Sequence, residues 1–369
     1  SAAGRRATGP EVAEVDLDAG EAEVFSAALL SSWGAQSSVA DAVAAHLVEA
    51  DLSGHSSHGI SRLPWYRRYV DDGVVCPAAL PMVTSDGSSR DGIANVSANW
   101  GFGQPAGNMA VELAATRGRE HGVGAVAVVQ TTHMGRLGAY VEQGADLGCV
   151  VIATVGGMRG AGVTVPFGGS APLLGPSPFA MGFPAEQGCP VLMDISTTEV
   201  PLGKVMIAKA SGTRLPVAGL VEADGTRTDD PTALDRGGAL ATFGAHKGFA
   251  LATMADLLGG TLTGAFAHRD EGPGGPAFKS AGMLVIAIAA DAFCSSADVE
   301  RAATRLQREI RGIPPGPGAE SVLAPGDPEA AARCAADGRI RIPASLWQQI
   351  TDLASASDVE IPEMEVKTR

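Results

Sequence analysis

From Glu21 to Ser31, and again from Ser38 to Asp51, alanine, leucine and valine recur at three- and four-residue spacing, which predicts two amphipathic helices. Gly54 follows as a stop, and Ser56 or Ser57 can cap a further helix carrying His58 and Arg62, with Pro64 setting a kink or an early boundary. Beyond a polar turn at 86–92 the pattern changes to apolar runs of strand length between helical periods. Asn108–His121 and Leu137–Leu147 read as helices; Gly122–Val129 and Cys149–Val155 read as strands. These runs are apolar throughout rather than alternating, as in a sheet covered on both faces. A Gly/Pro-rich loop from Pro166 to Pro184 leads to a short strand, Val191–Ile195, with Asp194 at its end. Gly203–Ala210, His246–Leu258, Ala297–Arg311 and Pro343–Ala354 read as helices, Ala281–Ala289 as a strand, and Ile313–Gly318 as a loop. The expected organisation is a helical domain over 1–85, an α/β domain over 86–296, and C-terminal helices over 297–369 packing back on the N-terminal domain.

Composition narrows the class. With 45% hydrophobic and 18% charged residues the chain is compact and folded, and its 48 glycines with few aromatics favour an α/β protein rich in tight turns. A net charge of −14 without a Lys/Arg cluster argues against nucleic acid, whose phosphates need a basic face. The longest apolar runs are shorter than the roughly 20 residues a membrane helix requires, so no membrane role is expected. Arg5 and Arg6 are followed by no apolar segment of the kind a secretory signal has. Cys76, Cys149, Cys189, Cys294 and Cys334 are scattered and form no CxxC, which reads as reduced thiols in a cytoplasmic protein.

Gly101-Phe-Gly103-Gln-Pro-Ala-Gly107 is close to a dinucleotide fingerprint, but its surroundings fit poorly. Gly92–Asn99 does not read as a continuous buried strand, Pro105 interrupts the loop, and no acid follows Val129 to hold a ribose. Tight turns and close helix packing account better for these glycines.

The densest chemistry lies in Asp51-Leu-Ser-Gly-His-Ser-Ser-His-Gly-Ile-Ser-Arg62. On one helix, His58 and Arg62 would share a face, and Asp51, His55, His58 and Arg62 would form one stripe. A histidine that exchanges protons near neutrality, beside a permanent planar cation, suits reduction of a carbonyl or imine that bears a carboxylate. A metal site on Asp51, His55 and His58 is disfavoured by the adjacent Arg62, and no metal is expected. A hydrolase built on Ser57, His58 and Asp194 is disfavoured because adjacent helical residues point about 100° apart. A structurally satisfied histidine with Arg62 in a surface ion pair is the remaining alternative. Three further places stand out. His133, in Thr132-His-Met-Gly135, directly follows a strand; Asp194 precedes the hydroxyl-rich Ser196-Thr-Thr198; Lys247 opens an apolar helix, where a cation beside N-terminal amides suits an anion.

Taken in order, these segments and several others resemble the malate/L-lactate dehydrogenase type 2 family, also called sulfolactate dehydrogenase-like. It includes ureidoglycolate dehydrogenase, 2,3-diketo-L-gulonate reductase and Δ1-piperideine-2-carboxylate reductase. The matching segments are Asp51–Pro64, Thr132–Gly135, Val165-Pro-Phe-Gly-Gly169, Met193–Thr198, Gly203-Lys204, the 224–231 segment, Gly244-Ala-His-Lys-Gly248, Leu257–Gly264 and Ala324-Pro-Gly-Asp327. The resemblance implies a non-Rossmann nicotinamide-binding sheet domain, a helical domain built from the N- and C-terminal segments, a homodimer, and substrate near a dimer or domain interface. It implies His58 as proton donor, Ser57 and Asp194 as relay partners, Arg62 as clamp for the substrate carboxylate, and His133 as a second active-site histidine. Cofactor contacts would come from Asp194, Ile195, Ser196, Thr197, Thr198, His246, Lys247, Gly326 and Asp327, to NAD or NADP. The chain departs from the family pattern at Gly175-Pro-Ser-Pro178, Val155-Gly-Gly157 and Leu215-Pro-Val-Ala-Gly219. The function expected is an NAD(P)H-dependent reductase or dehydrogenase of a small anionic 2-oxo or 2-hydroxy acid. A cyclic 2-imino acid reductase and an inactive nucleotide-binding scaffold are the alternatives.

Overall fold

The structure, a computed structural model, describes residues 13–84, 91–159, 162–186, 189–210, 212–269 and 272–368. Arg5, Arg6, most of the polar turn at 86–92 and the boundary expected at 85 lie outside the described residues. In chain order the strands are β1 (Ala13–Asp18), β2 (Met82–Thr84), β3 (Ile93–Ser97), β4 (Val123–Val129), β5 (Cys149–Gly156), β6 (Phe179–Phe183), β7 (Val191–Ile195), β8 (Leu220–Val221), β9 (Arg227–Thr228), β10 (Ala239–Leu240), β11 (Gly282–Ala289), β12 (Arg339–Pro343) and β13 (Glu365–Thr368). The α-helices are α1 (Ala19–Ser32), α2 (Ser37–Leu52), α3 (Leu63–Asp71), α4 (Gly103–His121), α5 (Leu137–Asp146), α6 (Leu202–Ala210), α7 (His246–Asp256), α8 (Gly275–Phe278), α9 (Ser296–Arg311), α10 (Asp327–Ala336) and α11 (Ala344–Ala356). The contacts divide the chain into two units, one reaching to Arg68 and resuming at Glu329, the other running from Tyr69 to Pro328.

In the first unit α1 and α2 pack through Ala22, Phe25, Leu29 and Leu30 against Val39, Val43 and Leu47, all buried. Asp18 caps α1 by accepting the Glu21 N–H at 3.1 Å. This unit is not purely helical, contrary to expectation: β1 lies between β12 and β13, antiparallel to both. The strands escape a search for apolar runs because acids and arginines alternate with Val15, Leu17, Ile340 and Ile342, whose side chains are buried. Trp347 on α11 closes the core against Phe25, with ring centroids 5.5 Å apart.

The second unit is built on a seven-stranded mixed sheet, in order β2-β3-β4-β11-β5-β6-β7. Only the β3–β4 pair is parallel; the other five pairs are antiparallel. Central strands β4, β5 and β11 bury Val126, Val128, Val151, Ala153, Met283 and Val285, as their unbroken apolar character requires. Gly92–Asn99, read from sequence as not a buried strand, supplies β3, paired from Ile93↔Ala125 to Ser97↔Val129. Helix α4 begins at Gly103 rather than Asn108. Pro105 sits in its first turn, where an N–H has no intrahelical partner to lose. The glycines of that motif serve close packing: a Cβ on Gly103 would come within 2.6 Å of the His133 carbonyl oxygen, and one on Gly107 within 2.5 Å of the Tyr140 ring. A small sheet, β10-β8-β9, was not anticipated, because each strand is only two residues long. Helix α9, expected among the C-terminal helices, groups with the sheet unit. The Glu186 N–H donates to Thr304 at 2.9 Å, and Gln307 donates to the Cys189 carbonyl at 3.2 Å.

Candidate active site

The segment 51–62 lies wholly in the first unit and is not one helix. α2 stops at Leu52, and two single 3₁₀ turns follow, Ser56–His58 and Ile60–Arg62, separated by Gly59 in extended conformation. The common stripe of Asp51, His55, His58 and Arg62 is therefore not formed, because Gly54 and Gly59 both interrupt the helical path. His58 and Arg62 are nevertheless joined through Ser57. The Ser57 hydroxyl lies 3.1 Å from His58 Nδ1, and the Ser57 carbonyl accepts from Arg62 Nε at 2.5 Å. The sequence argument that Ser57 cannot readily present its hydroxyl to His58 is thus corrected. In a single tight turn the ring nitrogen nearest the backbone folds back onto the preceding side chain, and the 100° helical increment does not apply. Both His58 and Arg62 are half-buried. The terminal guanidinium nitrogens of Arg62 make no hydrogen bond among the described residues, which fits a carboxylate clamp.

The donors of the metal alternative point to other partners: Asp51 accepts the Ile60 N–H at 2.8 Å, and His55 Nε2 lies 3.1 Å from Glu329. Burial pushes the Asp51 carboxyl up to about 7, against the opposing pull of the Ile60 hydrogen bond.

In the second unit the loop after β4 and the end of β7 meet. The His133 ring accepts the Gly135 N–H at Nδ1, 3.3 Å away, and the Asp194 carboxylate accepts the Gly138 N–H at 2.7 Å, in the first turn of α5. Asp194 is half-buried and completes a helix start there, an arrangement favoured by the dipole. Arg136, missed by the sequence reading, is 2% exposed and pairs with Glu142 at 3.2 Å. It flanks Gly138 together with Asp194, since a Cβ on Gly138 would meet Arg136 Nη1 at 2.3 Å and Asp194 Oδ2 at 2.9 Å. Its one sequence signal was its place three residues after His133.

The Ser196–Thr198 turn and the Gly244–Lys247 turn, far apart in sequence, are side by side. Thr198 bridges Thr242, and the Phe243 N–H donates to the Thr197 carbonyl at 3.1 Å. Thr197 is anchored on Pro176, and the Ser196 and Thr198 hydroxyls are 2.7 Å apart. Ala245, at φ 56° and ψ −120°, turns the chain so that His246 and Lys247 stand exposed on the first turn of α7. The half-buried Ser196 hydroxyl, the Lys247 cation and the N-terminal amides of α7 are a donor set that fits a nucleotide pyrophosphate. Ile195 ends β7, paired with Phe179. Gly326 has φ 98°, and the neighbouring Pro325 carbonyl accepts the Leu192 N–H at the start of β7. Asp327 is taken up by Arg311 and by the Ala324 N–H, and the arginine holds its carboxyl below the usual range.

Comparison with known proteins shows the family. Residues 17–351 match the Malate/L-lactate dehydrogenase family. An L-lactate dehydrogenase of Cupriavidus necator is 33% identical over 340 residues, covering 90% of this chain and 95% of that protein. A Δ1-pyrroline-2-carboxylate/Δ1-piperideine-2-carboxylate reductase of Pseudomonas putida is 35% identical over 264 residues, 71% of this chain and 76% of that protein. The structure of sulfolactate dehydrogenase from Methanocaldococcus jannaschii superposes with a TM-score of 0.82 at 26% identity, covering 94% of this chain and 98% of that one. The mixed α/β architecture is thus shared with solved dehydrogenases, and the chain is an oxidoreductase that belongs to the Malate/L-lactate dehydrogenase family.

Proposed function

We propose that the chain is an NAD(P)H-dependent reductase of 2-oxo acids, or in reverse a dehydrogenase of 2-hydroxy acids, with His58 as its proton donor. The observation that carries this reading is the single serine that holds both the imidazole at Nδ1 and the guanidinium at Nε. A nicotinamide nucleotide, NAD or NADP, supplies the hydride. Were that hydride to add to the carbonyl carbon, with the π electrons moving to oxygen, His58 as imidazolium would give that oxygen its Nε2 proton, and solvent would restore it. Ser57 accepts from Nδ1–H and keeps the ring aligned, while Arg62 grips the substrate carboxylate through its two terminal nitrogens. Asp194 is read as a further relay partner and His133 as a second active-site histidine. Asp194–Thr198, His246, Lys247, Gly326 and Asp327 are read as cofactor contacts. A sheet with one parallel pair supports a nicotinamide-binding fold other than the Rossmann type. We read the enzyme as a cytoplasmic homodimer.

The second reading, a reductase of cyclic 2-imino acids, is favoured by the 35% identity to the Pseudomonas putida reductase. It uses the same groups, with the proton going to nitrogen. An assay with pyruvate, oxaloacetate and Δ1-piperideine-2-carboxylate, each with NADH and NADPH, separates the two readings and exposes an inactive scaffold. His58→Ala lowers turnover by about 10²–10⁴ with unchanged cofactor affinity in a fluorescence titration. Wild-type turnover in that variant ends the assignment.

A further inference from the structure

We propose that Asp51 is a positioning residue for the reaction: its carboxylate clamps the joint between the turn that carries His58 and the turn that carries Arg62, and so sets the spacing of proton donor and carboxylate clamp. The proposal rests on the roles given above to those two residues. Each turn is a single 3₁₀ element of three residues, too short to hold its own shape, so its geometry must come from outside it. Two attachments to α2 supply that geometry. The His55 N–H donates to the Ala50 carbonyl at 2.8 Å where the segment leaves the helix. The Ile60 N–H donates to Asp51 Oδ2 at 2.8 Å where the segment returns.

The return point is built closely around the acid. Gly59, the joint itself, has an ordinary φ of −83°, so glycine is required there for space and not for conformation. A Cβ on Gly59 would fall 2.0 Å from Asp51 Oδ1 and 2.1 Å from its carboxyl carbon. Ile60 is fully buried, which leaves its N–H dependent on this acceptor. An acid whose burial raises its titration to about 7 is placed for its hydrogen bond and not for solvation. Because Ser57 ties the two functional side chains to one another, a shift at Gly59–Ile60 moves both of them. Displacements of about 1 Å cost on the order of 10²-fold in rate.

Three variants test the assignment, assayed with whichever of pyruvate, oxaloacetate or Δ1-piperideine-2-carboxylate the wild type turns over. Asp51→Ala removes the acceptor; kcat/KM falls about 10- to 100-fold, through both a lower kcat and a higher substrate KM, while NADH or NADPH affinity by fluorescence stays unchanged. Asp51→Asn keeps an oxygen for the Ile60 N–H without the charge, and both constants stay within about threefold of wild type. Wild-type kcat and KM in Asp51→Ala overturn the proposal, and so does an Asp51→Asn protein as damaged as Asp51→Ala. If circular dichroism shows the alanine variant unfolded, Asp51→Ser, too short to reach Ile60, replaces it, and the asparagine result decides alone if serine also unfolds. His58→Ala run alongside separates the two levels. If it is inactive while Asp51→Ala is normal, only the positioning role fails; if it is fully active, the underlying reading fails.

Discussion

At Ser57 two bonds meet, one between its hydroxyl and the neighbouring His58 ring and one from Arg62 to its carbonyl. The residue types were legible in the sequence: a histidine, an arginine and hydroxyls crowded into twelve positions announce chemistry. The Ser57 link came only from the family resemblance, because helical spacing argued against it and the segment beyond Leu52 contains no α-helix. Asp51 shows the same limit, since its partner is a backbone amide nine residues away that no side-chain pattern reveals. Its raised titration has a measurable consequence for stability. An unfolded aspartate titrates near 3.9, so the folded protein holds the Asp51 proton more tightly than the unfolded chain does. The associated stability is fully present below about 4 and is lost as pH rises through about 7. Asp51→Asn carries no such cost. Its unfolding free energy relative to wild type should climb between pH 4 and 7 and then level off, by at most about 4 kcal/mol. Urea titrations at pH 5 and pH 8 read the difference directly, and an equal gap at the two values would contradict the enclosed state of the carboxyl.

Elements with one unambiguous character were found within a residue or two. β4, β5 and β11 are apolar on both faces, and α5 and α9 carry clean periodicity. Elements with mixed character were lost: Asn95 and Ser97 disguise β3, and the acids of β1 disguise a strand whose valine and leucine are buried. The continuation of α7 as a π-helix over Leu257–Leu262 was equally hidden. Its reason lies at the glycines that end and follow β5. Gly259 and Gly260 press on Gly156 and Gly157, and a Cβ on Gly157 would lie 1.9 Å from the Ser280 carbonyl oxygen, at a φ of 81°. Asp256 ties the junction by accepting from the Gly157 N–H at 2.9 Å and from Arg159. Gly157→Ala therefore combines left-handed strain with a backbone collision and should destabilise by more than about 2 kcal/mol. A urea midpoint equal to wild type would show that the two backbones can separate freely.

At the scale of the molecule, the alternation of strands and helices announced an α/β protein. The first unit was harder to read, because its sheet joins opposite ends of the chain and pattern reading works only on neighbours. Trp347 is the point where that union is tested. It is 3% exposed against Phe25, and Trp347→Ala should cost about 3–5 kcal/mol. Calorimetry should then show an early transition for the first unit, with turnover lost on warming while NADH or NADPH affinity persists. A single unshifted transition would mean that Trp347 contributes little. The strand order carries a consequence for biosynthesis. β1 is the middle strand, yet its two partners are translated about 320 and about 350 residues later. At 5–20 residues per second the ribosome needs roughly 15–70 s to reach them. Through that interval the nascent chain holds an unpaired central strand, and the sheet is completed only once β13 has emerged.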